Sequence, residues 1–215
     1  MISLFISAFV TLFVVLDPPG CVPIFAGLTS GATRMHQQVM AMRSTIIAGI
    51  VLVMFGVFGE AFLGTLGISL AAFKIAGGVM VFLIAIDMVF EKRTERREQR
   101  ADEITREAMA AKGTVAGEDI SVFPMGIPML AGPGSIASIM LLTARAKTVA
   151  ENVVVLAALI AVLIVTVFAL LSAGPLMKLM GKKLEAMITR LLGVILSALA
   201  AQFIVDGIRE AFKLA

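Results

Sequence analysis

The stretch Leu16-Asp17-Pro18-Pro19-Gly20-Cys21 interrupts an apolar run, and Leu130-Ala131-Gly132-Pro133-Gly134-Ser135 does the same later in the chain. At a spacing of 114 residues, leucine matches leucine, proline matches proline and glycine matches glycine: Leu16 with Leu130, Pro19 with Pro133, and Gly20 with Gly134. Proline removes a backbone donor and clashes with the preceding turn, while glycine relaxes the backbone, so each stretch predicts a helix broken in two. At membrane depth, such backbone is tolerated only inside protein or beside a cavity. The two stretches therefore indicate two copies of one unit, each with a buried break.

The composition is that of a protein that crosses a membrane several times. Sixty per cent of the 215 residues are hydrophobic, 15% are charged, and the mean hydropathy is +1.03. The net charge of +3 is spread between apolar runs, which argues against a nucleic-acid partner. One histidine and one cysteine, Cys21, supply neither a nucleophile–base pair nor a metal-ligand set. We therefore expect no enzyme activity, no metal and no cofactor.

The apolar runs predict six membrane spans. A span needs about 20 apolar residues, and the first and fourth runs reach that length only when they continue through their breaks. The predicted spans are residues 1–28, 44–64, 71–90, 120–144, 152–172 and 188–208. The fold class is thus an all-α membrane protein of six transmembrane helices, with the first and fourth discontinuous. His36 falls in the predicted polar connection before the second span.

A hydrophilic segment separates two similar halves. Residues 91–119 hold seven Lys/Arg and eight Asp/Glu, so we divide the chain into a first repeat (1–90), a charged cytoplasmic connection (91–118) and a second repeat (119–215). Gly193-Val194 repeats Gly78-Val79 at nearly the spacing of the breaks, so the repeat covers three helices. Because three is odd, the two copies must cross the membrane in opposite senses. The sequence predicts a 3+3 inverted repeat.

The distribution of Lys and Arg predicts the orientation. One set of connections carries 13 basic residues, and the other side carries five, namely Lys74, Arg145, Lys147, Arg209 and Lys213. The positive-inside rule places the richer set in the cytoplasm. Both termini are then expected outside the cytoplasm, on a multi-pass protein of the plasma membrane.

Corresponding breaks in inverted repeats are typical of secondary transporters. A helix that restarts inside the membrane offers unpaired N–H groups and the positive end of its dipole to an anionic group. We expect Ser135 to cap the restarted second helix. The predicted substrate-binding residues are Asp17, Pro19, Gly20, Cys21, Val22, Gly132, Gly134, Ser135 and Ile136.

Two carboxylates admit two interpretations each. Asp17 precedes proline and so suits a helix N-cap, but it could also hold a ligand ammonium or a coupling cation. Its counterpart Ala131 can do neither, so the two half-sites are chemically unequal. Glu60 lies near the end of the second span, where it is either interfacial or a cation site. Asp17 and Glu60 are the candidates for coupling to H⁺ or Na⁺.

Two motifs carry a resemblance that covers essentially the whole chain. They are Asp17-Pro18-Pro19-Gly20-Cys21-Val22-Pro23-Ile24-Phe25 and Ile127-Pro128-Met129-Leu130-Ala131-Gly132-Pro133-Gly134-Ser135-Ile136, with Phe73-Lys74-Ile75-Ala76-Gly77-Gly78 between them. The chain resembles the MarC family of six-helix inner-membrane proteins. The resemblance implies a bacterial or archaeal plasma-membrane protein related to small neutral amino acid transporters.

We therefore expect a transporter of small zwitterionic amino acids whose partners are its substrate, the lipid bilayer and a coupling H⁺ or Na⁺. Export of other small metabolites is one alternative, and a non-transporting scaffold or sensor, in which the breaks only shape helix packing, is another. A homo-oligomer is compatible with the sequence.

Overall fold

The computed structural model describes residues 1–90, 99 and 119–213, except the side chains of residues 177–183 and 185. Every regular element in these ranges is helical. The helices are α1 (Ile2–Leu16), α2 (Pro18–Leu28), α3 (Arg34–Thr65), α4 (Leu70–Val89), α5 (Ser121–Leu130), α6 (Pro133–Arg145), α7 (Val149–Leu171) and α8 (Ala173–Phe212). The predicted charged connection, residues 91–118, lies outside the described residues apart from position 99.

Five helical stretches within the described residues are long and apolar enough to cross a membrane, and α5 with α6 makes a sixth if this bent pair is one span. The helices α1 and α2 together form a single stretch, whereas α5 and α6 meet at 55°. Both predicted breaks are therefore present. The second is sharper: two consecutive residues between α5 and α6, Ala131 (ψ 57°) and Gly132 (ψ 170°), are non-helical, whereas the first break contains only Asp17.

Two helices begin earlier than the apolar pattern predicts. The helix α3 starts at Arg34, where the Thr33 hydroxyl accepts a hydrogen bond from the His36 N–H, so the prediction of His36 in a loop is wrong. The helix α8 starts at Ala173, fifteen residues before the predicted sixth span, and includes Pro175. A proline is tolerated there because the N–H groups of the first turn of a helix have no intrahelical acceptor, so none is lost. Polar turns extend both helices beyond their apolar runs.

Glycines allow α4 and α8 to pack with their backbones in contact. A Cβ on Gly78 would lie 3.0 Å from the Ala200 carbonyl oxygen, and a Cβ on Gly193 would lie 3.0 Å from the Ala85 carbonyl oxygen. Small residues at such positions are how membrane helices approach closely. Gly78 and Gly193 therefore set the distance between these two helices.

The connections gather at two ends of the bundle. At the first end, residues 29–31 of the α2–α3 connection and residues 173–175 line a pocket of about 560 Å³. At the second end, the start of α4, the end of α6 and the end of α8 line a pocket of about 650 Å³. The 23 residues of α7 separate the two ends by about 34 Å, at about 1.5 Å per residue.

A polar contact ties the start of the second half to α3 at the first end. The Asp119 carboxylate accepts hydrogen bonds from the backbone N–H of Ser121, at 2.9 Å, and from its hydroxyl, and it pairs with Arg43 at 3.2 Å. The Ser121 hydroxyl and N–H, followed by the Arg43 charge, hold the pKa of the Asp119 carboxyl below its usual value. This carboxylate therefore keeps its charge, and its bonds, down to a lower pH than an ordinary aspartate.

Candidate functional site

The first break consists of one residue, Asp17. Its backbone is left-handed (φ 55°, ψ 62°), a conformation that aspartate tolerates better than most residues. The Asp17 N–H donates to the Phe13 carbonyl and ends α1, while its carboxylate accepts from the Gly20 N–H at 3.2 Å and begins α2. The predicted capping role of Asp17 is confirmed, and the residue is only 1% exposed.

The N-terminus of α2 has no donor left for a ligand in this arrangement. Pro18 and Pro19 have no N–H, the Gly20 N–H bonds the Asp17 carboxylate, and the Cys21 N–H donates to the Asp17 carbonyl. A Cβ on Gly20 would lie 2.2 Å from a carboxylate oxygen of Asp17. The space that glycine leaves is thus filled by the carboxylate of the chain itself.

The N-terminus of α6 is different. Its N-cap is Gly132, which has no side chain to accept a hydrogen bond, and the first helical residue is Pro133. The Ile136 N–H donates to the Gly132 carbonyl at 3.0 Å. Within the described residues, the N–H groups of Gly134 and Ser135 donate no hydrogen bond. Both residues are buried, so two backbone donors are available in the interior of the protein.

The prediction that Ser135 caps α6 is wrong, because the helix begins two residues earlier. Proline favours the first helical position, since its φ is already helical, and here Pro133 fixes the start of the helix. Ser135 is therefore the third helical residue, 3% exposed.

The second break packs against the helix that ends at the first break. A Cβ on Gly134 would lie 3.8 Å from Val15 Cγ1, so the start of α6 packs against the last turn of α1, directly before Asp17. The same Cβ would lie 2.1 Å from Ile84 Cδ1, so this side chain of α4 covers Gly134. Gly134 is thus covered and buried, whereas Pro133, directly before it, is exposed.

The other predicted residues divide into a buried group and one outlier. Cys21, Val22 and Gly132 are buried, whereas Pro19 and Ile136 are half-buried; all five belong to the two breaks. The Cys21 thiol donates to the Leu16 carbonyl at 3.6 Å. Glu60 is exposed on α3, beside Gly59, whose Cβ would meet Met140 near the far end of α6. The structure does not bring Glu60 into the buried group.

Sequence reasoning missed three residues of this region: Val15, Ile84 and Ser138. Ser138 is fully buried, and among the described residues its hydroxyl has no hydrogen-bond partner. It follows Gly134 by four residues, and that spacing on one helix face is a signal that could have found it. Ile84 gave no local signal, because its place over Gly134 depends on the packing of α4.

These features define a polytopic membrane protein whose described elements are all helical and whose two broken helices pack against each other. The model of the MarC family integral membrane proteins matches residues 2–212. The chain belongs to the MarC family.

Its relatives occur in archaea and bacteria. A UPF0056 membrane protein of Methanocaldococcus jannaschii is 38% identical over 207 residues, which cover 96% of this chain and 97% of the relative. One from Bacillus subtilis is 32% identical, covering 99% and 97%, and an inner membrane protein of Escherichia coli is 31% identical, covering 97% and 98%. No solved structure matches the chain. The names of these relatives state a membrane location and no substrate.

Proposed function

We propose that this protein is a secondary transporter of small neutral, zwitterionic amino acids across the plasma membrane, with the substrate bound between the two broken helices. One observation carries the proposal: the α6 N-terminus, with two unused N–H groups, packs at Gly134 against Val15, two residues before the buried Asp17. A zwitterion needs an acceptor for its ammonium and donors for its carboxylate, and burying either charge without a partner is costly.

Each charge of the substrate has a proposed partner. The carboxylate accepts from the Gly134 and Ser135 N–H groups at the positive end of the α6 dipole, with the unpartnered Ser138 hydroxyl one turn further on. The ammonium pairs with Asp17, which is also the candidate for H⁺ or Na⁺ coupling. Ile84 covers Gly134, so it must move before substrate enters, and Val15 limits the space for a side chain.

The remaining predicted residues prepare this site. Pro19 and Gly20 direct the Asp17 carboxylate, and Cys21 and Val22 continue α2 behind it. Gly132 and Ile136 fix the first turn of α6 through their mutual hydrogen bond. Glu60 is exposed, which favours the interfacial interpretation of that residue.

Reciprocal contacts support the inverted repeat. Gly78 meets Ala200 and Ile204, while Gly193 meets Ala85 and Val89. A shift of 115 positions relates the two sets of contacts. It takes Gly78 to Gly193, and it takes Ala85 and Val89 to Ala200 and Ile204. Such an exchange is what a two-fold relation between α4 and α8 would produce.

The two end pockets support alternating access. One lies at the C-terminal end of α2 and the other at the C-terminal end of α6, at opposite ends of the bundle. Each broken helix thus leads from the buried site toward a different side, as inverted repeats require of a transporter that opens to each side in turn.

Reporter fusions test the proposed orientation. A fusion near Arg97 is expected to report a cytoplasmic position, and a fusion after Ala215 a position outside, because the basic residues are concentrated on the connections that include Arg97. Alkaline phosphatase and a fluorescent protein that folds only in the cytoplasm give opposite signals at each position. The reverse pair of signals would overturn the orientation.

Thiol labelling tests whether the site opens. Cys21 is the single cysteine and is fully buried, so N-ethylmaleimide is expected to label the closed protein slowly. Ile84→Ala removes the cover over Gly134 and should raise the labelling rate several-fold. Ile46→Ala, at an exposed position on α3, is the matched control. Equal rates in all three proteins would show that Ile84 does not control access.

A further inference from the structure

All five basic residues of the second end line one pocket. Lys74, Arg145, Lys147, Arg209 and Lys213 are the Lys and Arg that the sequence assigns to the side with few positive charges, and each of them borders the pocket of about 650 Å³. They come from the start of α4, the end of α6, the α6–α7 connection and the end of α8. Like charges drawn together from separate segments repel one another unless anions lie among them.

Two of the five are neutralised by acids of α8. The Lys74 Nζ lies 2.5 Å from a Glu210 carboxylate oxygen, and Arg145 pairs with Asp206. The Gln202 amide donates to the other Asp206 oxygen at 2.7 Å. These bonds fasten α4 and α6 to α8 and fix the floor of the pocket.

The other three basic residues are exposed, and none has an ion-pair partner among the described residues: they are Lys147, Arg209 and Lys213. Five basic and two acidic residues leave the lining with a charge of +3. The side chains that line the pocket therefore do not balance its charge, although the Glu151 carboxylate lies nearby and accepts from the Lys147 backbone N–H at 2.6 Å.

Arg145 adds an unused donor. Its guanidinium carbon lies 4.3 Å from the centre of the Phe203 ring, which together with Asp206 fixes the orientation of the group. Its Nε is buried, and no acceptor in the described part of the chain bonds it. A buried donor without an acceptor is costly, so an acceptor supplied by a ligand would stabilise the site.

We propose that this pocket binds a phosphate group, carried either by the headgroup of an anionic phospholipid or by a free phosphate ester. A charge of +3 suits an anion, whereas a zwitterionic amino acid brings no net charge. Arginine and lysine are the usual partners of phosphate oxygens. The pocket lies at the ends of the membrane-spanning helices α4 and α8, the level at which lipid headgroups begin.

Calorimetric titration of the full chain in detergent at low salt tests the proposal with two probes. Glycerol 3-phosphate represents the free ester, and short-chain phosphatidylglycerol represents the anionic lipid, with short-chain phosphatidylcholine as its zwitterionic comparison. We expect saturable binding of phosphatidylglycerol, of glycerol 3-phosphate or of both. Binding of phosphatidylglycerol alone identifies a lipid headgroup, binding of glycerol 3-phosphate alone identifies a free ester, and binding of both shows that the phosphate group itself is recognised.

The variant Lys147→Gln/Arg209→Gln/Lys213→Gln should weaken binding at least tenfold, and its three exposed positions should spare folding. Arg209→Gln alone should weaken binding several-fold. Arg34→Gln, an exposed arginine at the first end, is the matched control and should leave binding unchanged. The proposal is overturned if neither probe binds, if phosphatidylcholine binds as tightly as phosphatidylglycerol, or if the triple variant binds like the wild type. Titration does not require transport, so these outcomes are independent of the proposed function.

Discussion

Asp17→Asn is expected to lower the rate of transport at least about a hundredfold and to leave the protein folded. Asparagine caps helices as well as aspartate does and tolerates the left-handed backbone, so the turn between α1 and α2 should persist. The substitution removes the charge that we propose pairs with the substrate ammonium. Leaving one partner of a buried ion pair alone costs about 3–5 kcal/mol, which corresponds to a hundredfold loss or more. Uptake by proteoliposomes and the midpoint of thermal unfolding separate the two effects.

Asp17→Ala provides the comparison. This variant loses the charge as well. Losing the cap should cost about 0.5–2 kcal/mol of stability, and placing alanine at a positive φ should cost about 1–2 kcal/mol more. Transport should disappear in both variants, but only alanine should lower the midpoint of unfolding substantially. If asparagine transported like the wild type, the carboxylate of Asp17 would have only a structural role.

Gly78→Leu is expected to destabilise the protein by about 3 kcal/mol or more, the upper end of the usual cost of overpacking. A Cβ at this position would lie 3.0 Å from backbone atoms of Ala200 and Ile204, and a helix backbone cannot move aside as a flexible side chain can. The branched remainder of leucine would separate α4 from α8. Circular dichroism is the suitable probe of unfolding, because the chain contains neither Trp nor Tyr.

The matched control is Gly64→Leu, on the exposed surface of α3, where a Cβ meets no atom within 4 Å. This control should be neutral or slightly stabilising, since leucine favours a helix by up to about 1 kcal/mol over glycine. Equal midpoints of unfolding for the Gly78 and Gly64 variants would refute the close packing of α4 on α8.

The helix breaks could be predicted from the sequence because their causes are local. Proline and glycine act on the turn that contains them, and Asp17 before Pro18 is a capping pattern in any context. The same local reasoning gave the wrong cap for α6, because the helix begins at Pro133 and not after Ser135.

The inequality of the two half-sites was visible in part. The sequence showed that Ala131 lacks the carboxylate of Asp17, but which backbone N–H groups are bonded depends on the three-dimensional structure. Pro18, Pro19 and the Asp17 carboxylate leave no donor at the start of α2, whereas the start of α6 retains two. Hydrogen bonds of this kind depend on where each helix begins, and a shift of one residue reassigns all of them.

Features that depend on distant segments could not be read from the sequence. Ile84 is one apolar residue in an apolar helix, and only the packing of α4 places it over Gly134. The basic residues of the second end were counted correctly in the sequence, but their convergence on one pocket joins segments up to 139 positions apart, from Lys74 to Lys213.

Flux of labelled glycine, alanine and serine into proteoliposomes tests the central claim most directly. The wild-type protein should take up at least one of them saturably, at a rate that responds to an imposed proton or sodium gradient, and Asp17→Asn should show no uptake above empty vesicles. Gly64→Leu should transport like the wild type. If no amino acid moves or binds in any gradient, or if Asp17→Asn matches the wild type, the transporter assignment is contradicted and the breaks serve helix packing alone.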